Sequence, residues 1–350
     1  MRDKDHQNNA TGKASACSEQ TLAAYEKRYR QLIREAERHF GEVPTPERFA
    51  GWLIETKRPT LGKSTWRQYQ AATVYGFKLD RAANPSITAT IFDAIDRVRS
   101  TRAAELEDAP LRTSQQKAKR FKPGELDKIN HRALSTKSPN ALALTNCLNA
   151  SNVSGLRPCE WPTAQFRRSE VPGFEWEMKV RCAKANDVRA HGEFRTLRWT
   201  HLDAESVNAI TDWIFQAHQA EIAGAYKTLL STLRALMLRI TSSLFPKRTT
   251  HSTLYTPRHE ATARWKAAYV DSATTDDERL HGLAIVAALL GHASDATATI
   301  HYGRPRRGEN RSSRFPIPTA DPDEVARVRR RLQQNLDRLA ASQPSQGAQP

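Results

Sequence analysis

Apolar residues recur at helical spacing through the first hundred positions. After Ser18, a good helix cap, Leu22, Tyr25, Tyr29, Leu32 and Ile33 share one face, and Gly41 ends the run. Thr45 followed by Pro46 and Glu47 starts a second helix with Phe49, Trp52 and Leu53 turned inward, because proline is accommodated in the first helical turn. Ser64 is the expected cap of a third helix carrying Trp66, Tyr69, Thr73 and Phe77. A fourth is predicted from about Ser86 through Ile91, Ile95 and Val98. Residues 17–102 thus read as a small all-helical unit, preceded by a polar, disordered stretch over 1–16.

The pattern then breaks. Acids at Glu105, Glu107 and Asp108, then Pro110, then the basic cluster Lys117, Lys119, Arg120 and Lys122 mark an interdomain linker over 103–120. Beyond it, helices are predicted at about 123–134 and 139–150. The clearest β signal follows. Trp176, Met178, Val180 and Cys182 alternate with Glu175, Glu177, Lys179 and Arg181, and Phe194 to Trp199 can return beside them as a hairpin. Helical periodicity resumes at Asp203 to about Gln216, Ala223 to Leu244, Pro257 to Tyr269 and Asp276 to Leu290. A tail helix starts at Asp321 and Pro322 and carries Val325, Val328, Leu332 and Leu339 on a stripe that can pack on its own domain or dock into a neighbour. The last eight residues read as disordered. The expected fold class is mainly α with a small antiparallel β-sheet in the second domain.

Composition narrows the function. The 350 residues exceed what one small core supports, and 39% hydrophobic with 26% charged residues suits two folded domains. Fifty-four Lys and Arg against 38 acids leave a charge of +16, which favours a polyanionic partner, nucleic acid before an anionic membrane. No apolar run approaches the ~20 residues of a membrane span and no signal-peptide core follows Met1, so a soluble, intracellular protein is expected. Cys17, Cys147, Cys159 and Cys182 show no C-x-x-C spacing and read as unpaired thiols. The histidines show no zinc-binding spacing either, so no metal site is expected.

Several polar residues stand in informative company. S-G-L-R-P-C-E-W supplies Arg157 and Glu160, the hairpin connection holds Lys184, T-P-R-H-E-A-T-A supplies Arg258 and His259, and L-L-G-H-A-S-D-A-T-A-T-I-H-Y-G-R supplies His292 and Tyr302. In this order the segments resemble the tyrosine recombinase, or phage integrase, family. The N-terminal helices are similar to that family's core-binding domain, and residues 121–315 to its α+β catalytic domain, leaving a C-terminal helix and tail over 316–350. The resemblance implies a site-specific recombinase or integrase acting on double-stranded DNA, as carried by mobile genetic elements. It implies a 3′-phosphotyrosyl intermediate with no ATP, metal or other small-molecule cofactor. It further implies a homo-oligomer, a tetramer, on DNA, and a cytoplasmic, nucleoid-associated location in a bacterium.

The residue types suit that chemistry on physical grounds. Attack on a phosphodiester builds negative charge on oxygen, so catalysis consists largely of positioning and electrostatic stabilisation. Arg157 and Arg258 offer planar forks that stay protonated and bond phosphate oxygens in pairs. Glu160, three residues after Arg157, falls on the same face if the segment is helical and can fix the guanidinium; an ordinary solvated pair is the alternative. His292 can donate a further hydrogen bond. The phenol of Tyr302 is a weak nucleophile until a base or a cationic field removes its proton. Lys184 can protonate the departing oxygen, with Lys179 a poorer substitute.

Two departures stand out. Where the family most often has histidine three residues before the second arginine, this chain has Tyr255, and Tyr255, His251 and His259 are alternative holders of that role. The stretch between Arg258 and His292 is long, with a polar insertion at about Asp271–Glu278 expected in a surface loop. Two rival readings remain: a catalytically impaired DNA-binding regulator of the same fold, and a type IB topoisomerase.

Overall fold

The computed structural model describes residues 19–103, 117–183, 190–292 and 315–342, with side chains omitted at a few helical positions, Leu332 and Leu339 among them. The expected disordered ends at 1–16 and in the last eight residues, and the acidic part of the linker, lie outside the described residues. The chain divides into two units, 1–112 and 113–350.

The first unit is all helical. It contains α1 (Glu19–Phe40), α2 (Pro46–Trp52), α3 (Lys63–Ala83) and α4 (Thr88–Ser100). Its core is built from the inward residues that periodicity selects: Leu32, Phe49, Leu53, Trp66, Phe77, Ile91 and Val98 are buried together. Helices α1 and α3 pack tightly at Gly76. A Cβ on Gly76 would sit 2.1 Å from the Tyr29 ring, so only glycine permits it. Thr45 caps α2 by accepting from the Arg48 amide, and the helix runs on through a π turn at Leu53–Lys57. Ser64 does not cap α3. The helix begins two residues earlier, at Lys63, with Gly62 in the cap position and Ser64 inside the first turn. The fourth helix starts at Thr88, after a 3-10 turn over Pro85–Ile87 that Asn84 caps by accepting from Ser86.

The second unit wraps helices around a small sheet. In order it has α5 (Glu125–Leu134), α6 (Ala141–Ser154), β1 (Gln165–Arg168), β2 (Trp176–Arg181), β3 (Phe194–Trp199), α7 (Ala204–Ile222), α8 (Tyr226–Leu244), α9 (Thr256–Tyr269), α10 (Asp276–Leu290), β4 (Thr319–Ala320) and α11 (Pro322–Ser342). The expectation of a mainly helical protein with a small antiparallel sheet is borne out. The four strands pair in the order β1-β2-β3-β4, all antiparallel. Met178, Val180, Leu197 and Trp199 face the core. On the other face Glu177 takes Arg167 at 3.1 Å and Arg198 at 2.8 Å, and Arg198 reaches Asp321 at 3.0 Å, so one chain of ion pairs crosses the sheet.

Several boundaries differ from those predicted. Helix α7 continues past Gln216 to Ile222 and ends at Gly224, whose φ of 65° is left-handed, so α8 starts at Tyr226 rather than Ala223. Only the first part of the expected insertion loop is a turn. Thr275 and Glu278 form a reciprocal cap that makes Asp276–Glu278 the first turn of α10. Val325 and Val328 on α11 are buried within their own unit, beside α10, where they join its core. No helix among the described residues is long and apolar enough to cross a membrane. Cys147, Cys159 and Cys182 are free thiols.

Candidate active site

Helix α6 ends at Gly155, whose φ of 61° and lack of a side chain are both needed: a Cβ there would lie 2.5 Å from the Trp265 indole. The chain then turns sharply through Arg157 to Glu160. This is a turn and not a helix, so the shared helical face expected for the pair is not what joins them. The joining is direct. The Glu160 carboxylate accepts the Arg157 backbone N–H at 2.7 Å on Oε2 and Nη1 at 2.7 Å on Oε1. Neither residue is solvated: Arg157 is 7% exposed and Glu160 1%.

Two further arginines converge on that carboxylate. Arg195, from β3, donates Nη1 to Oε1 at 3.1 Å and Nη2 to Oε2 at 2.7 Å. Arg258, in the first turn of α9, stands 3.8 Å from Oε2 and donates to the carbonyls of Gly155 and Leu290. Both are fully buried. Burial by itself would raise the Glu160 carboxyl, but the charges of Arg195, Arg258 and Arg157 outweigh it and hold the group well below the usual carboxylate range. Among the described residues, three buried guanidiniums around one carboxylate carry excess positive charge, which the low-dielectric interior makes costly unless an anion joins it.

His292 adjoins the cluster. Helix α10 stops at Gly291, with φ of 67°, and the His292 amide donates back to Ala287 at 2.9 Å. Burial, then Arg258, Arg157 and Arg195, push the imidazole down to about 2, so it is neutral at any ordinary pH and carries a single N–H. His259 is also neutral. Burial and the charges of Arg258 and Lys119 push it down to about 4. Tyr255 occupies the cap position of α9, is 39% exposed and tilts over the His259 ring at 6.2 Å. His251 lies off to one side, pairing its backbone with Lys117 and Ala118.

The structure thus brings Arg157, Glu160, Arg258 and His292 together, with Tyr255 and His259 beside them. Lys184 and Tyr302 lie outside the described residues. The strand end leading to Lys184 is anchored, since the Ala183 amide donates to Glu160 Oε1 at 3.3 Å. Arg195 is a member that sequence reasoning missed. Its signal was there: in F-R-T-L-R-W it shares the alternation of Leu197 and Trp199, the inward positions. Among the described residues no group of His, Cys, Asp and Glu is arranged to hold a metal ion.

No protein-family model and no curated protein matches the chain. It is similar to several solved structures. One is XerH site-specific recombinase bound to palindromic difH substrate, at 13% identity over 82% of this chain and 76% of that one, with a TM-score of 0.45. A lambda integrase dimer bound to a COC′ core site gives 16% identity, coverage of 86% and 94%, and 0.44. The Tn1549 transposon integrase in complex with a circular intermediate DNA gives 11%, 82% and 96%, and 0.46. These structures are tyrosine recombinases and integrases in complex with DNA. At such TM-scores and identities, the chemistry of this chain has to be derived from its own side chains.

Proposed function

We propose that this protein is a site-specific DNA strand-transfer enzyme, a recombinase or integrase that cleaves and rejoins duplex DNA through Tyr302. The observation that carries the reading is the buried cluster of Arg157, Arg195 and Arg258 on the single carboxylate of Glu160, with a neutral His292 beside it. Such a site is built to receive one more negative charge, and a phosphodiester supplies it.

In this mechanism the Arg157 guanidinium and the His292 N–H bond the non-bridging oxygens of the scissile phosphate. Arg258, wholly enclosed, acts through its charge, which burial strengthens. The cationic field favours the Tyr302 phenolate, whose proton passes to solvent, and its oxygen attacks phosphorus, forming a 3′-phosphotyrosyl bond as the bond to the 5′ oxygen breaks. Lys184 gives that oxygen its proton. Tyr255, at the mouth of the cluster, offers a hydroxyl to the phosphate in the position where histidine is usual in the resembling family. The phosphotyrosyl bond conserves the energy of the phosphodiester, so a second 5′-hydroxyl can reverse the attack and no energy-rich cofactor is consumed. Exchange between two duplexes asks for four such sites, hence a homo-tetramer on DNA, in a protein of mobile elements working at the bacterial nucleoid.

The test is capture of the covalent adduct. A duplex carrying the footprinted binding site, nicked beside the scissile position, should yield a detergent-resistant protein–DNA adduct with the unaltered chain and none with Tyr302→Phe. Arg157→Ala should slow its formation roughly 100-fold or more. Binding without any adduct from the unaltered chain would overturn the enzyme reading in favour of a regulator. Relaxation of supercoiled plasmid without a specific site would favour a topoisomerase.

A further inference from the structure

The role of Arg195 goes beyond adding charge. Glu160 Oε2 is shared between the Arg157 amide and Arg195 Nη2, both at 2.7 Å, while Arg258 Nη1, which donates to the Gly155 carbonyl, stands 3.8 Å away, outside hydrogen-bond reach. Oε1 is shared among Arg157 Nη1, Arg195 Nη1 and the Ala183 amide. A carboxylate has about four lone-pair sites, and this one receives five donors, two of them from the Arg195 fork. Withdraw that fork and the nearest replacement donor for Oε2 is Arg258.

We propose that Arg195 is a positioning residue of the phosphate site: by occupying both oxygens of Glu160 it keeps the carboxylate from closing on Arg258, and so keeps the field of two guanidiniums directed at a bound phosphate. This rests on reading the cluster as a phosphate site. Arg195 is well placed for the task. It comes from β3, whose pairing with β2 fixes its height, and it is packed against Cys182 and Gly291. A Cβ on Gly291 would lie 3.0 Å from its Nη1, so the guanidinium lies hard against the turn that presents His292. A lysine here would keep the charge and lose the fork.

Inorganic phosphate is the first probe, with binding followed by calorimetry on the full chain. Arg195→Lys, shown folded by circular dichroism, should bind phosphate roughly tenfold more weakly than the unaltered protein. Combining it with Glu160→Gln should restore affinity to within about threefold, because the carboxylate that Arg195 restrains is then gone. A purely structural role would lower the melting temperature and leave phosphate affinity unmoved. A folded Arg195→Lys with unchanged affinity, or a double variant whose affinity is simply the product of the two single-variant effects, overturns the proposal. If neither Arg195→Lys nor Arg195→Gln folds, a crystal of the unaltered chain soaked in phosphate decides: Glu160 should stay on Arg195, and finding it swung onto Arg258 overturns the role. The adduct assay separates the two readings. Lost phosphate binding in Arg195→Lys, with no adduct from the unaltered chain, leaves the positioning role standing and removes strand transfer. No phosphate binding by the unaltered chain removes the phosphate site itself and Arg195's role with it.

Discussion

Replacing Glu160 by glutamine changes one oxygen to an NH2 group and removes the carboxylate charge that three buried guanidiniums surround. Oε2 accepts from the Arg157 amide and Arg195 Nη2, and Oε1 from Arg157 Nη1, Arg195 Nη1 and the Ala183 amide. Whichever side receives the NH2, at least two donors then face a donor. Breaking a buried ion pair by removing one partner costs about 3–5 kcal/mol. In a unit of this size each kcal/mol moves the melting temperature by about 2–4 °C, so calorimetry should find the transition of the second unit lowered by roughly 10 °C. The excess positive charge left behind makes a second outcome specific. Inorganic phosphate should stabilise Glu160→Gln more than it stabilises the unaltered protein, by an amount that grows with concentration as expected for binding to the folded state. A melting temperature within a degree or so of the original, or equal stabilisation of the two proteins by phosphate, would refute the account of Glu160 as counter-charge to the cluster.

Other consequences are as open to measurement. Gly291→Ala puts a side chain on a left-handed residue and 3.0 Å from both Arg195 Nη1 and Cys182 Sγ, so stability should fall by at least about 1 kcal/mol, and adduct formation should slow with it. Chemical denaturation that finds no loss would contradict the packing described for that turn. On α11, burial pushes the Glu324 carboxyl up to about 7, more than the Thr196 amide offsets. Its folded value lies above its unfolded one, so as pH rises from about 4.5 to about 7 the unfolded chain ionises first and stability falls. Glu324→Gln should therefore match the unaltered protein at the acid end and exceed it above neutrality, by at most about 3 kcal/mol; parallel stability curves would count against this. Tyr255→Phe should slow adduct formation while leaving DNA affinity unchanged, since the ring is 39% exposed and only the hydroxyl is removed. An unchanged rate would remove the hydroxyl from the mechanism.

Periodicity was enough to place most of the helices, though not their ends, because an apolar face recurring at 3.6 spacing has few competing explanations. The β2–β3 hairpin was legible for the same reason, by strict alternation. So was the company kept by Arg157, Arg258 and His292, and the glycines before Arg157 and His292 are the left-handed caps that turn each residue inward. What stayed hidden depended on partners far away in the chain. Strand β1 is short and largely exposed, and β4 is two residues long; each exists because a neighbouring strand supplies its hydrogen bonds. Arg195 falls on the inward alternation of β3, yet a charge at a core position has no local explanation, and a carboxylate 35 residues earlier makes its burial tolerable. Glu160 was expected to serve Arg157 by helical spacing, whereas a turn lets it serve three arginines from three separate segments. Local chemistry chose the elements and nominated the residues; which charges share one buried carboxylate was decided only when β3, α9 and the end of α6 came together.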